Sequence, residues 1–141
     1  MEALRYLTDE ERIRLLARAE SQSYAPNDVI LHEGDYNEDI YILIGGSARV
    51  QKHTERGDTD TTVGHMGAGE AFGEMSLLDG SPTHLSVVAD EPAEAFVLPL
   101  ASVADLLEED PTLASHLYHS LAVMLARRLR DRTSEVLSSL G

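Results

Sequence analysis

The sequence predicts a mainly β body flanked by helices, of barrel or sandwich type. Between Val29 and Leu98 short β-prone runs alternate with Gly, Asn and Asp turn signals, the spacing of a closed or two-sheet β architecture. A helix with its own capping signal stands before this body. After it the pattern returns to helical periodicity and keeps it to the end of the chain.

Thr8-Asp9-Glu10-Glu11 is a capping box: the Thr8 hydroxyl and the Glu11 carboxylate each accept from an orphan main-chain N–H. Ile13, Leu15, Leu16 and Ala19 continue as an apolar stripe, which carries the helix to about Glu20. Pro26 and Asn27 make residues 21–27 a turn. Val29-Ile30-Leu31 is a strand stopped by Glu33-Gly34-Asp35. Ile40-Tyr41-Ile42-Leu43-Ile44 is a buried strand ended by Gly45-Gly46. Ala48, Val50 and Lys52 alternate with Arg49 and Gln51, and Glu55-Arg56-Gly57-Asp58 forms a hairpin tip before the return over Thr59 to Val63. Leu85 to Ala89 and Ala95 to Leu98 are two further strands. Ser102 opens a short amphipathic helix over Val103, Leu106 and Leu107. Asp110-Pro111 then places an N-cap before a proline at the first helical position. No glycine or proline follows until Gly141, so the last helix reaches about 40 Å at 1.5 Å per residue.

A length of 141 residues suits one domain with a real core. The chain has 43% apolar and 26% charged residues, and no apolar run of membrane-spanning length. It has no cysteine, which excludes disulfides and thiolate metal sites and fits a cytoplasmic setting. The net charge of −14 repels phosphate backbones and argues against nucleic acid as a partner. The charge is uneven: after Pro111, Arg127, Arg128, Arg130 and Arg132 face only Asp131 and Glu135. No nucleophile elbow, Walker loop, zincin motif or catalytic carboxylate pair is present, so no enzyme and no cofactor are expected. His116 and His119 lie one turn apart without a carboxylate motif, and packing explains them better than a metal.

The run Phe72-Gly73-Glu74-Met75-Ser76-Leu77-Leu78-Asp79-Gly80-Ser81-Pro82 reads as a glycine-kinked turn opening a one-turn helix. Gly73 allows close backbone approach, and the N–H groups from Gly73 to Ser76 are free to face an anion. Glu74 either accepts from a ligand hydroxyl or caps the short helix. This run resembles the phosphate-binding cassette of the cyclic nucleotide-binding domain family. Gly34-Asp35, Tyr41 to Ile44 with Gly46, Gly69, Leu77-Leu78, Pro82 and Asp110-Pro111 match that family in order and spacing.

The resemblance implies a single domain over residues 1–141. It has an N-terminal helix over 1–20, an eight-stranded β-roll over 21–99 with the cassette at 72–87, and C-terminal helices over 100–141. It also implies a ligand site formed by Phe72, Gly73, Glu74, Met75, Ser76, Thr83 and His84, with Glu74 on a ribose hydroxyl. The family carries an arginine after the cassette proline, where this chain has Thr83. A threonine offers one neutral hydrogen bond and cannot replace a bidentate guanidinium. His84 and Leu85 depart from the family pattern beside it. Arg127 and Arg128 of the last helix are candidates to supply charge instead, against a solvent-facing alternative.

Leu117, Leu121, Met124 or Leu125, Leu129, Val136 and Leu140 form a seam near heptad spacing. It is similar to the dimerisation helix of the catabolite-activator branch, which implies a homodimer through this helix. With no output domain expected after the helix, any signal is expected to pass to an unidentified protein partner. Two functions remain open: a regulatory domain binding a cyclic nucleotide or other small anion, and a ligand-independent dimerisation or docking module.

Overall fold

The computed structural model describes residues 1–140, without the side chains at 135, 136 and 138–140. After a 3-10 turn at Glu2–Leu4, the elements run α1 (Asp9–Leu16), β1 (Glu20–Tyr24), β2 (Val29–Leu31), β3 (Asp39–Gly45), β4 (Ala48–Thr54), β5 (Thr59–Met66), β6 (Ala71–Phe72), α2 (Glu74–Asp79), β7 (Ser86–Ala89), β8 (Ala93–Pro99), α3 (Leu100–Glu109) and α4 (Pro111–Leu140). The strands form two antiparallel four-stranded sheets, ordered β1-β8-β3-β6 and β2-β7-β4-β5. This is the eight-stranded roll with flanking helices that the sequence implied.

Strand β3 explains why its sequence is apolar without alternation. Ile40 and Ile42 face the helices and join Leu4, Leu15, Leu98, Val103, Leu117 and Leu121 in one core cluster. Leu43 faces the other way, between the sheets, with Leu31, Phe72, Val87 and Ala95. Successive side chains of a strand point to opposite faces, and here both faces are covered.

The capping box forms as expected. Glu11 N donates to Thr8 Oγ1 at 3.2 Å, and Thr8 N donates to Glu11 Oε1 at 2.8 Å. The helix stops at Leu16 rather than near Glu20, and Ile13 is 70% exposed instead of joining the buried stripe. The expected turn over 21–27 is also corrected. Glu20–Tyr24 is a strand, paired with β8 from Glu20↔Val97 to Tyr24↔Ala93. Its Ser and Gln residues give no period-2 signal, because this is a sheet edge held by main-chain bonds, where polar side chains are tolerated. The turn proper follows, with Asn27 at φ 71° and Ala25 N donating to Asp28 Oδ2 at 2.8 Å.

Helix α3 starts at Leu100, two residues before Ser102, directly out of β8. Leu100 N donates to the Glu38 carbonyl at 2.8 Å. Asp110 caps α4, accepting from Leu113 N at 3.1 Å. The heptad seam divides in two. Leu117, Leu121 and Met124 are buried in this chain's own core, which corrects their assignment to a dimer face. Leu125 is half-buried against that core, and Leu129 and Leu137 are exposed. Val136 and Leu140 lie outside the described side chains. His116 Nδ1 meets Glu11 Oε1 at 2.7 Å, and His119 stacks on Tyr6 at 3.9 Å between centroids. Both histidines therefore tie α4 to the N-terminal segment.

Candidate functional site

The cassette begins where β6 ends. Phe72 is buried between the sheets and stacks on Tyr41 at 5.0 Å. Gly73 then turns the chain at φ 83° into α2. A β-carbon at Gly73 would lie 2.5 Å from Asn37 Nδ2 and 2.8 Å from the Asp39 carbonyl oxygen. Only glycine fits there, in conformation and in space.

Beside the cassette lies a cavity of about 360 Å³, within the usual range for small-molecule sites. Its walls come from Leu31, Val50, Met66, Phe72 and Val87 of the roll, from Gly73, Glu74, Met75 and Ser76 at the cassette, and from Thr83, His84 and Leu85 beyond it. Leu125, Arg128, Leu129 and Arg132 of α4 close the remaining side. All seven cassette residues named from the sequence therefore line one cavity. Of the two candidate arginines, Arg128 lines it. Arg127 lies outside, bonded to Glu2, Glu70 and Asp131.

Glu74 is 3% exposed. Arg128 Nη1 donates to its Oε1 at 3.1 Å. Burial is the largest influence on this carboxyl and holds its pKa above the ordinary carboxylate range. The Glu70 charge adds to the shift, and Arg128 and a main-chain bond oppose it. Arg128 also donates through Nη2 to the Ala71 carbonyl oxygen and through Nε to Glu70 Oε1 at 3.4 Å. Ala71 N donates to Met124 Sδ at 3.5 Å. Both polar main-chain groups of Ala71 thus meet side chains of α4 on the edge of β6, and Glu74 three residues on meets the same helix.

Thr83 Oγ1 lies within hydrogen-bond distance of the carbonyl oxygens of His32 and Asp35, the latter at 3.1 Å. Thr83 N donates to Asp35 O at 3.0 Å, and Gly34 N donates to Thr83 O at 2.8 Å. The residue in the arginine position staples the post-cassette loop to the 32–35 turn, and its one hydroxyl proton is spent on that. Ser76 Oγ donates to the Ser81 carbonyl at 3.3 Å. The His84 side chain is exposed, and its carbonyl accepts from Lys52 Nζ at 3.2 Å.

Sequence reasoning missed Arg132 and the roll side chains. Arg132 stands one helical turn beyond Arg128, so the spacing on one helix face was available as a signal. Leu31, Val50, Met66 and Val87 carried no such mark. An inward-facing apolar residue reads the same whether it meets a neighbour or a cavity.

With fold and site in place, the comparisons agree. The model of the cyclic nucleotide-binding domain matches residues 21–110, and the chain belongs to that family. It is 34% identical over 130 residues to the cyclic AMP receptor protein of Thermus thermophilus, covering 92% of this chain and 58% of that protein. It is 39% identical over 83 residues to a cAMP-dependent protein kinase regulatory subunit of Hypocrea atroviridis, covering 59% of this chain and 17% of that one. The chain therefore spans little more than half the length of the first relative and far less of the second. Among solved structures, a cyclic nucleotide-binding domain from Methylobacillus flagellatus superposes with a TM-score of 0.89 at 25% identity, over 98% of this chain and 80% of that one. The Thermus thermophilus catabolite activator protein superposes at 0.79 with 30% identity, over 96% of this chain and 62% of that one. Among the described residues no helix is long and apolar enough to cross a membrane.

Proposed function

We propose that this chain is a non-catalytic regulatory domain in which a small ligand in the cassette cavity controls the position of α4. The observation that carries the reading is the Glu74–Arg128–Ala71 connection, which ties the helix both to the end of β6 and to α2 of the cassette. A ligand hydroxyl that takes Glu74 must displace or share Arg128. Occupancy and helix position are then linked through the ligand's differential affinity for the two arrangements. Affinity for cyclic AMP is low, because Thr83 brings no charge to the phosphate position.

Signal output runs through α4. Leu129 and Leu137 remain exposed on it and form the face for a homodimer or for an unidentified protein partner. The net charge of −14 argues against direct contact of this domain with nucleic acid, and the absence of cysteine fits the cytoplasm. The alternative of a ligand-independent docking module is favoured by one observation, the commitment of Thr83 to structural hydrogen bonds.

Hydrogen exchange on an Arg128→Met variant tests the connection. Amides of residues 71–79, from β6 through α2, and of α4 beyond Leu125 are expected to lose protection together. Loss confined to α4 would remove the proposed coupling.

A further inference from the structure

The tip of the β4–β5 hairpin carries a second charged cluster, outside the cassette cavity. His53 stands opposite Asp60 in the ladder, and Thr54 stands opposite Thr59. His53 Nδ1 lies 3.0 Å from Asp60 Oδ1, and Nε2 lies 3.3 Å from Asp58 Oδ1. Among the described residues it is the only histidine with a carboxylate oxygen at each ring nitrogen. His65 meets Asp90 alone, and His116 meets Glu11 alone. A carboxylate oxygen only accepts, and a neutral imidazole has one N–H and one lone pair. Neutral His53 would turn that lone pair toward one of its two carboxylates. The arrangement suits the imidazolium, which donates from both nitrogens.

Glu33, from the turn after β2, belongs to the same cluster. Its Oε2 accepts from His53 N at 2.9 Å, its Oε1 accepts from Lys52 Nζ, and its own N–H donates to Ser86 Oγ at 2.9 Å. His32 and Glu55 line the same surface cleft, and Arg56 lies on the turn between the strands. Lys52 is committed to Glu33 and to the His84 carbonyl, the latter at 3.2 Å. Four carboxylates thus gather about His53. The Asp60 bond is the largest influence on the ring. Together with the charges of Asp60, Asp58 and Glu33 it holds the pKa above the ordinary imidazole value, against desolvation.

We infer that His53 is a proton-operated clamp on the β4–β5 hairpin. With the ring doubly protonated, Asp58 and Asp60 are drawn to its two nitrogens and the tip is held against β4. When the proton leaves to water, one carboxylate loses its donor, the cluster gains an uncompensated negative charge, and the tip loosens. A histidine whose pKa is raised by folding contributes stability that is complete below its unfolded pKa. That stability is lost as pH rises through the folded value. The clamp is therefore closed on the acid side and opens as pH rises past the ordinary imidazole value. Exposed ion pairs are weak, so the effect is confined to the hairpin. It does not depend on a ligand in the cassette cavity.

The test is an NMR titration of the histidine ring nitrogens in the full chain, from about pH 5 to about pH 9, with His53→Gln identifying the His53 signals. His53 is expected to stay doubly protonated to a pH above the ordinary imidazole value. As it titrates, hydrogen-exchange protection of amides 53–60, corrected for the intrinsic pH dependence of exchange, should fall about twofold or more. Asp58→Asn combined with Asp60→Asn should lower the His53 midpoint and remove the fall in protection. Asparagine tolerates the left-handed backbone of residue 58, at φ 50°, so the turn is kept. Asp60→Asn alone, which leaves the turn residues untouched, should lower the midpoint as well. A His53 midpoint at or below the ordinary value, or protection that does not change through the titration, overturns the inference. So does a double variant that keeps the original midpoint.

Discussion

Arg128 on α4 and Glu74 at the first position of α2 form an ion pair at 3.1 Å, both largely withdrawn from solvent. The pair bridges segments 54 residues apart and gives the cavity its only direct charge link between cassette and helix among the described residues. Hydrogen bonds to charged groups contribute about 1.5–3 kcal/mol each. A double-mutant cycle of Glu74→Gln and Arg128→Met, read by urea unfolding, should return a coupling of about 1–3 kcal/mol. Additivity within about 0.3 kcal/mol would mean that the two side chains are neighbours without interaction.

Gly73 is required by both space and dihedral angle. Gly73→Ala should destabilise the chain by about 2–4 kcal/mol, combining a left-handed alanine with a clash against Asp39 O. Removing the Asn37 side chain as well should restore only part of the loss, because the second obstacle is main chain. Thermal unfolding of the two variants checks this. Full restoration by Asn37→Ala would place the whole strain on the side chain.

The N-terminal helix and α4 are joined by a titrating contact. Burial pushes the Glu11 carboxyl up, but bonds from Thr8 N, His116 and the Thr8 hydroxyl outweigh it and leave its pKa below the ordinary value. An acid whose pKa is lowered by folding contributes stability that is complete above its unfolded pKa. That stability is lost as pH falls through the folded value. Melting temperature should therefore decline on acidification below the ordinary carboxylate range. Glu11→Gln should flatten that decline and lower stability at neutral pH. An unchanged acid limb in the variant would show that other carboxylates control it.

The α4 face can be tested without touching the cavity. Leu137 is 64% exposed and does not line the ligand site. Leu137→Glu should shift sedimentation from dimer to monomer if α4 carries the dimer, with melting temperature little changed. A wild-type chain that sediments as a monomer at tens of micromolar would leave the exposed leucines to a different partner.

The fold was largely legible from the sequence because its signals are local. The Thr8–Glu11 box, the Asp110-Pro111 cap and the turn glycines each fix an element boundary by main-chain chemistry. β1 was missed because an exposed edge strand of Ser and Gln has no hydrophobic period. Half of the α4 seam was misassigned because Leu117, Leu121 and Met124 would look the same facing a partner or their own roll. At the site, Gly73, Glu74 and Thr83 could be named from the motif, but not what they touch. Arg128 and Arg132 are distant in sequence and reach the cassette only through the packing of a 30-residue helix.

The most direct measurement of the central claim is calorimetric titration of the wild-type chain and Thr83→Arg with cyclic AMP at neutral pH. The claim is that the cassette cavity is intact and lacks its phosphate countercharge. The wild type is then expected to show no saturation below about millimolar ligand, and the arginine variant to gain about tenfold or more in affinity. Micromolar binding by the wild type, lost in Glu74→Ala, would contradict it by showing that the cassette holds the cyclic phosphate with Thr83 in place.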